Sequence, residues 1–316
     1  MQKFSNILLV CAESDICEYT LTQAVEVCDL ANGRLHVMLV LPEFPSALAE
    51  QQSSYVTFLE EKVGSLINDA CQKLQIARDG LLAELSVETN KHTSVKVIRH
   101  VIRNNIDVLI KQQAQNGAPG YSALDMQLLR KCPCPVWLAQ PIAHSVTSTS
   151  VAVAVDASDT SEKAKSFNTK LLQGAGDLAM SMGKSLDVVS CCEDIVHATV
   201  LQSGLQLGWM SVSPQEIDQA IADSMAIHKQ QLAELVQHAQ LSHKLSIHQH
   251  QLKGVPSEQI PLFIEQNNID ILVMGTVART GLSGFIMGNT SESILQQLNC
   301  TLLAYKPSGF VSPVDI

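Results

Sequence analysis

Residues 102–110 read IRNNIDVLI and residues 264–273 read IEQNNIDILV, so nearly the same stretch occurs twice in this chain. Further along, each copy is followed by a cysteine and a short strand-like run that ends in proline. These runs are CPVWLAQP at 134–141 and CTLLAYKP at 300–307. The duplicated stretch predicts that two similar units follow one another in the sequence.

The similarity between the two halves extends upstream of this stretch. The matching pairs are SNILLVCAES (5–14) with TSVAVAVDAS (149–158), and NGRLHVMLVLPE (32–43) with MGKSLDVVSCCED (182–194). A tandem duplication accounts for all of these matches. We predict one domain at 1–142, a second at 149–308 and a C-terminal tail at 309–316. The Ser/Thr-rich stretch PIAHSVTSTS, at 141–150, lacks periodicity and is the predicted linker.

Each half alternates short apolar runs with segments of helical periodicity. The helical stripes are Tyr55, Leu59, Val63, Leu66, Ala70 and Leu74 in the first half, and Ile217, Ile221, Met225, Leu232, Val236 and Ala239 in the second. Ser213, Pro214 and Glu216 precede the second stripe with the spacing of a capping box. Five strands alternating with helices in each half predict right-handed βαβ crossovers. The expected fold class is α/β, with two tandem five-stranded parallel sheets that carry helices on both faces.

The composition narrows the possible partners and locations. Acidic residues outnumber basic ones 31 to 21, and no cluster of Lys and Arg is interleaved with aromatic residues, so we expect no nucleic-acid partner. No apolar run is long enough to span a membrane, and the N-terminus reads as a first strand and not as a signal peptide. The nine cysteines are scattered, which fits reduced thiols. We therefore expect a cytoplasmic protein.

A glycine-rich loop in the second half is the main candidate for a binding site. Residues 274–295 read MGTVARTGLSGFIMGNTSESIL and follow an apolar strand-like run. In an open parallel sheet, ligands sit beyond the carboxyl ends of strands where the strand order reverses. Gly275 and Gly288 can adopt a positive φ and let backbone approach a ligand, and hydroxyls at the following helix start favour an anion. From the residues alone, the loop is either a phosphate site or a plain connection.

Asp156 closes another strand at the same predicted edge of the sheet. Its carboxylate could accept a hydrogen bond from a ribose hydroxyl or an adenine amino group. Asp156 and the glycine loop therefore predict the two ends of one site.

The spacing of the loop resembles that of the universal stress protein family. Nucleotide-binding members of that family carry a glycine, two residues, a second glycine, nine residues, and then glycine with Ser or Thr. This chain has Gly275, Ala278, Gly288 and Asn289 at those places, so Ala278 and Asn289 depart from the pattern. The resemblance covers essentially the whole chain, including LLRKCPCPV at 128–136 and LKGVPSEQIP at 252–261.

The resemblance implies a Rossmann-like fold of the adenine nucleotide alpha hydrolase type, with ATP or another adenine nucleotide, and Mg²⁺ with it, in the second half only. Asp156 would contact the base or ribose, and Val189 would lie beside the adenine. The residues implied around the phosphates are Gly275, Arg279, Gly288, Asn289, Thr290 and Ser291. The methyl group of Ala278 could narrow the space for the phosphates.

The first half departs further from the family pattern. Ala12 occupies the place of Asp156, and the opening of the loop is replaced at 112–115 by QQAQ. The aligned loop is shorter, with Ser122 opposite Gly288. We expect no nucleotide there.

Family members pair through the last strand of each domain. The resemblance therefore implies that PVWLA and TLLAY pair within one chain as a pseudo-dimer, and a further homodimer stays open. It also implies a role in survival under stress, with protein partners that the sequence does not name.

No catalytic machinery is apparent in the sequence. It contains no G-x-x-x-x-G-K-[ST] loop and no G-x-S-x-G elbow, so we expect a binding protein and not an enzyme, although slow turnover of a bound nucleotide stays compatible with the sequence. Two alternatives stay open beside a nucleotide-sensing regulator. One is an interaction or chaperone-like protein with a filled cleft. The other is a carrier of an apolar, lipid-like ligand, which needs an apolar cavity at the strand ends of the first half.

Two further groups of residues could bind a metal, but neither pattern favours it. Cys132 and Cys134 are separated by one residue and have no second pair, so we expect them to pack in the core, as Cys300 does. His248 and His250 should share one face of an edge strand, with no third ligand evident nearby. The sequence predicts no metal site.

Overall fold

The structure is a computed structural model that describes residues 4–12, 16–41, 43–77, 80–89, 91–113, 121–140, 145–193, 204, 213–276 and 287–315. Among the helices that it describes, none is both long enough and apolar enough to cross a membrane.

The two halves repeat the same order of strands and helices. The first half contains β1 (Asn6–Ala12), α1 (Glu18–Ala31), β2 (Arg34–Leu41), α2 (Ala49–Leu74), β3 (Leu82–Thr89), α3 (Thr93–Arg103), β4 (Val108–Gln112), α4 (Ala123–Lys131) and β5 (Val136–Ala139). The second contains β6 (Val151–Ala154), α5 (Glu162–Ser181), β7 (Leu186–Cys192), α6 (Pro214–His238), β8 (Ile247–Lys253), α7 (Pro256–Gln266), β9 (Ile271–Gly275), α8 (Asn289–Leu295) and β10 (Thr301–Tyr305).

The ten strands in the described residues form one sheet in the order β3-β2-β1-β4-β5-β10-β9-β6-β7-β8. Every neighbouring pair is parallel except β5 and β10, which run antiparallel with Leu303 opposite Trp137. The predicted α/β fold and the predicted pairing of the last strands are therefore confirmed. Two five-stranded parallel sheets meet at this seam and leave no exposed edge there.

Helices cover both faces of the sheet, as predicted. Residues of α1, α2, α5 and α6 pack on one face, and residues of α3, α4, α7 and α8 pack on the other. Successive residues of β1 point to opposite faces, with Ile7 and Leu9 in the first core and Leu8 and Val10 in the second. A strand buried on both faces needs a continuous apolar run, which is why these segments do not alternate with polar residues.

Local sequence signals also agree with the helices that form. Ser213 caps α6, its hydroxyl accepts from the Glu216 N–H, and the Glu216 carboxylate accepts from the Ser213 N–H. Of the predicted stripe on this helix, Ile221 and Met225 are half-buried. The fully buried members are Ile217, Leu232, Val236 and Ala239.

The end of the predicted linker is anchored to the first half. Val146–Ser148 form a short 3₁₀ turn in which Val146 is buried. The carboxylate of Glu26, on α1, accepts hydrogen bonds from the backbone N–H groups of Val146 and Thr147 and from the Ser145 hydroxyl. One buried carboxylate therefore fixes the point where the chain enters the second half.

Candidate functional site

A cleft of about 420 Å³ lies at the carboxyl ends of β6 and β9 in the second half. β6 and β9 are neighbours in the sheet, and the chain leaves β6 toward β7 on one side and β9 toward β10 on the other, so a ligand site is expected between them. The residues that line it are Ala154, Val155, Asp156, Ser158, Phe167, Asn168, Leu171, Cys191, Glu193, Pro256, Ile260, Met274, Gly275, Gly288, Thr290, Ser291 and Ile294.

Several of these residues were not found from the sequence. Cys191 and Glu193 come at the end of β7 and just beyond it, so the rule that identified Asp156 could have identified them. Phe167 and Asn168 lie in α5 and had no distinguishing spacing.

The carboxylate of Asp156 organises the turn after β6. Its Oδ1 accepts hydrogen bonds from the N–H groups of Ser158, at 3.0 Å, and Asp159, at 3.3 Å, as in an Asx-turn. The side-chain amide of Asn168 donates to the Asp156 carbonyl at 2.7 Å. Asp156 is half-buried and lines the cleft, held in place from α5.

A buried hydrogen-bond chain supports the next residue of this turn, Ala157. Its N–H donates to Ser190 Oγ at 3.2 Å, and Ser190 Oγ lies 3.1 Å from His228 Nε2. The amide nitrogen of Gln251 lies 2.9 Å from His228 Nδ1. Because an amide nitrogen only donates, His228 accepts at Nδ1 and donates from Nε2 to Ser190. This chain of hydrogen bonds runs from Gln251 on β8 through His228 on α6 and Ser190 on β7 to the edge of the cleft.

Gly275, the last residue of β9, faces the ring of Phe167 on α5. A β-carbon at position 275 would lie 2.7 Å from Phe167 Cζ and closer still to Cε1. Neither glycine uses the positive φ open to it: Gly275 and Gly288 are not among the residues with positive φ, and φ at Gly288 is −64°. Glycine is needed at 275 for space and not for backbone conformation.

The start of α8 forms the far wall of the cleft. Gly288 precedes the helix, and Gly288, Thr290 and Ser291 line the cleft. Asn289 is exposed and is not among the lining residues. The Ser291 hydroxyl donates to the carbonyl of Gly275 at 3.1 Å, so it joins α8 to the end of β9.

The charged side chains on the described walls are acidic. Asp156 and Glu193 line the cleft, and no Lys or Arg occurs among the lining residues that the structure describes. The predicted Arg279, like Ala278, belongs to 277–286 and lies outside the described residues. A phosphate group at this site would therefore need a cation from that segment or from solution.

Val189, predicted to lie beside an adenine, is fully buried in β7. Its carbonyl accepts the N–H of Val155 at 3.0 Å, and its side chain is part of the core. Cys191, two residues further along the same face of the strand, lines the cleft instead. Burial, aided by Glu193 and Asp156, raises the pKa of Cys191 to about 12, so this thiol stays protonated and forms an uncharged wall.

The same region of the first half is filled by an ion pair. The duplicated stretch aligns Lys111 with Met274, and the caps of α4 and α8 align Asp125 with Ser291. Lys111 Nζ lies 3.1 Å from Asp125 Oδ1, and both side chains are buried. Asp125 also accepts the N–H of Ser122, which caps α4. The two positions that line the cleft in the second half are thus occupied by a buried ion pair in the first half.

The start of the glycine loop is tied to the first half. Lys306, just after β10, is buried, and its Nζ donates to Thr276 Oγ1 at 2.9 Å and to the Leu129 carbonyl at the end of α4. Burial lowers the pKa of Lys306 to about 8, while the nearby thiols of Cys132 and Cys134 oppose the shift. Both thiols are free and buried, with 3.5 Å between their sulfur atoms, as core packing requires.

The two histidines of β8 have a carboxylate beside them. β8 is an edge strand, as predicted, but the expectation that no third ligand-type group lies nearby is wrong. Asp187 Oδ1, on β7, lies 2.7 Å from His250 Nε2 and 3.5 Å from His248 Nδ1. The ring of His250 also packs on Phe263, with 4.7 Å between ring centroids.

Known proteins resemble this chain over its full length. The model of the universal stress protein family matches residues 3–140 and again 148–306. Universal stress protein E of Photorhabdus laumondii is 28% identical, over 99% of this chain and 98% of the relative. Universal stress protein E of Escherichia coli K12 is 25% identical, over 100% of this chain and 98% of the relative.

A solved structure shares the fold. A universal stress protein from Pseudomonas aeruginosa UCBPP-PA14 has a TM-score of 0.69 at 22% identity, with 97% of this chain and 94% of that chain covered. The family model matches each half separately, and each half forms its own five-stranded parallel sheet. The chain therefore belongs to the universal stress protein family and carries two tandem copies of its domain.

Proposed function

We propose that the second half binds ATP or a related adenine nucleotide in the cleft between β6 and β9, and that the chain acts as a nucleotide-responsive protein of the stress response. The observation that carries the proposal is that Asp156 lines one cleft with Gly275, Gly288 and Ser291, which follow it by more than a hundred residues. Its volume of about 420 Å³ falls within the range of roughly 300–1,000 Å³ that is usual for small-molecule sites.

The two ends of the cleft suit different parts of a nucleotide. Near Asp156 and Ser158, oxygen atoms are available to a ribose or to the amino group of a base. Leu171, Ile260 and Met274 give the middle of the cleft an apolar surface suited to a flat ring. The phosphates would lie toward Gly275 and Gly288, because residues without a side chain leave the backbone accessible.

The phosphates of a nucleotide need positive charge nearby, which the described walls of the cleft do not supply. We assign the missing cation to Arg279, and Mg²⁺ bound with the nucleotide would add to it. Asp156 and Glu193 offer the carboxylate oxygens that Mg²⁺ prefers. The acidic walls then favour a nucleotide that brings its own metal ion over free phosphate.

The proposal is for binding and not for catalysis. Asp156 holds the turn after β6 and the Ser291 hydroxyl donates to a carbonyl, so both side chains serve to position and enclose a ligand. The proposal includes the cytoplasmic location that the sequence predicts.

Isothermal titration of ATP with Mg²⁺ into nucleotide-free full-length protein tests this function. We expect binding in the micromolar range, about −8 kcal/mol, with one site per chain. Asp156→Ala and Arg279→Ala should each weaken it at least tenfold. Asp223→Ala, on the exposed side of α6, is the matched control and should bind as the wild type does.

A second candidate function is a protein-interaction role without a nucleotide. It is favoured by the absence of Lys and Arg from the described walls and by the hydrogen bond that occupies the Ser291 hydroxyl. No heat and no thermal stabilisation at millimolar ATP would support this alternative and overturn the first. The lipid-carrier alternative loses support because the buried pair Lys111 and Asp125 fills the strand ends of the first half.

A further inference from the structure

We propose that the first half contains a binding site for Zn²⁺ or a similar divalent transition metal, formed by His36, Glu84 and His100. His36 is near the start of β2, Glu84 lies beside it on β3, and His100 is on α3, which packs over this face of the sheet. The site lies at the outer end of the half that lacks the nucleotide motif, so it is separate from the cleft.

The three side chains already present their ligand atoms to one another. His36 Nδ1 lies 3.4 Å from Glu84 Oε2, and His100 Nε2 lies 3.9 Å from the same oxygen. One ligand atom from each residue can be chosen so that all lie within 4.8 Å of one another. Ligand atoms around tetrahedral zinc, about 2.0–2.2 Å from the metal, are separated by roughly 3.3 Å, so a small closing movement is enough.

Two imidazoles with one carboxylate suit zinc chemically. Nitrogen and oxygen ligands of this kind hold zinc with three protein groups and leave a fourth position open to water or another ligand. The side chains of His36 and His100 are each only 12% exposed, whereas that of Glu84 is 45% exposed. The carboxylate can therefore swing to admit an ion, while the imidazoles stay fixed by the packed face.

An unsatisfied atom gives an independent reason to expect a ligand here. Nε2 of His100 is buried and has no hydrogen-bond partner. A buried polar atom without a partner destabilises the fold, and a bound metal ion would satisfy it.

The duplication supplies an internal comparison. The strand pair that places His36 beside Glu84 places Asp187 beside His248 in the second half. The matching ends of α3 and α7 align His100 with Phe263. A histidine and a carboxylate therefore face each other across the second and third strands of both halves. The first half adds an imidazole from the helix, and among the described residues it is this half whose three ligand atoms all lie within 4.8 Å of one another.

Zinc titration of the full-length protein, prepared without a polyhistidine tag and monitored by competition with a chromophoric chelator, tests the site. We expect one equivalent of Zn²⁺ to bind and to raise the thermal midpoint, since an ion that binds only the folded state stabilises it. His36→Gln and His100→Phe should each weaken that binding by roughly 100-fold or more, beyond the loss typical of outer-sphere partners. His100→Phe installs the residue that the second half already accommodates at the equivalent position.

Two controls keep the test specific. His248→Gln alters the corresponding cluster of the second half. It should still bind one equivalent of Zn²⁺ with the affinity of the wild type. Co²⁺ should give only weak visible bands, because imidazole and carboxylate ligands lack the intense near-ultraviolet charge-transfer band of thiolates. Zinc binding unchanged in both first-half variants, an intense thiolate band, or no binding at millimolar Zn²⁺ would each overturn the proposal. Glu84→Gln, on a partly exposed strand, decides the matter if a histidine variant fails to fold.

Discussion

Lys111 and Asp125 form an ion pair of 3.1 Å in the interior of the first half, where the second half has Met274 and Ser291. Burying two charges is favourable only when each has its partner and further hydrogen bonds. Lys111 also donates to the Gln112 carbonyl, and Asp125 belongs to the capping box of α4. The pair is therefore part of the core that replaces the cleft.

Asp125→Ala should lower the free energy of unfolding by about 3–5 kcal/mol, because it leaves the Lys111 charge buried without the carboxylate that opposes it. The double variant Lys111→Met with Asp125→Ser installs the residues of the second half. Its free energy of unfolding should fall much less. Urea unfolding followed by circular dichroism measures both. A single variant as stable as the wild type would show that water or another group compensates the lysine.

Gly275→Ala should destabilise the second half by roughly 1–3 kcal/mol, the usual range for overpacking a filled site. The added methyl group would overlap the ring of Phe167. Phe167→Leu combined with Gly275→Ala removes the overlap and should recover part of the loss. A thermal midpoint of Gly275→Ala equal to that of the wild type would contradict the steric account.

Lys306 should make stability depend on pH in alkaline solution. Its pKa is about 8 in the folded protein and 10.5 for the unperturbed side chain, so between these values the unfolded chain binds more protons. The contribution of Lys306 to the free energy of unfolding therefore rises as pH increases from 8 to 10.5, and this gain is lost as pH falls through that window.

The comparison that isolates this effect is wild type against Lys306→Met, measured by denaturant unfolding at several pH values. The difference in stability should change in favour of the wild type as pH rises, because only the wild type carries the buried amine whose pKa is lowered. The exposed Lys163→Met serves as control and should give a difference independent of pH.

A thiol reagent should label one cysteine rapidly in the native protein. Cys17 is half-exposed, whereas the other eight cysteines are buried. Burial raises the pKa of Cys28 to about 12, with Asp29 and Cys71 adding to the shift, which suppresses the reactive thiolate. Cys17→Ser should remove the rapid phase, and rapid labelling of several thiols would mean that the core opens readily.

The fold could be predicted from the sequence because its signals are local and repeated. Asn105 and Asn268 mark the same helix end in each half, and both adopt the positive φ that asparagine tolerates. The apolar runs that follow them are buried on both faces, so their length and their lack of alternation indicated parallel strands. Duplication then fixed the number of domains.

The site could be predicted only in part, because its walls come from contacts between distant segments. The strand-end rule found Asp156, but the need for glycine at 275 depends on Phe167, more than a hundred residues earlier. Val189 was predicted beside a base, but it is buried within β7, and Cys191, two residues nearer the strand end on the same face, lines the cleft. The buried pair of the first half joins two residues with no sequence pattern of their own.

The antiparallel seam between β5 and β10 makes each half the permanent neighbour of the other. In a dimer of identical chains, every substitution appears on both sides of the axis, so a change tolerated on one side can be rejected on the other. A covalent pair escapes this constraint, since each side can change alone. The charged core of the first half and the open cleft of the second show that two copies of one domain have diverged independently.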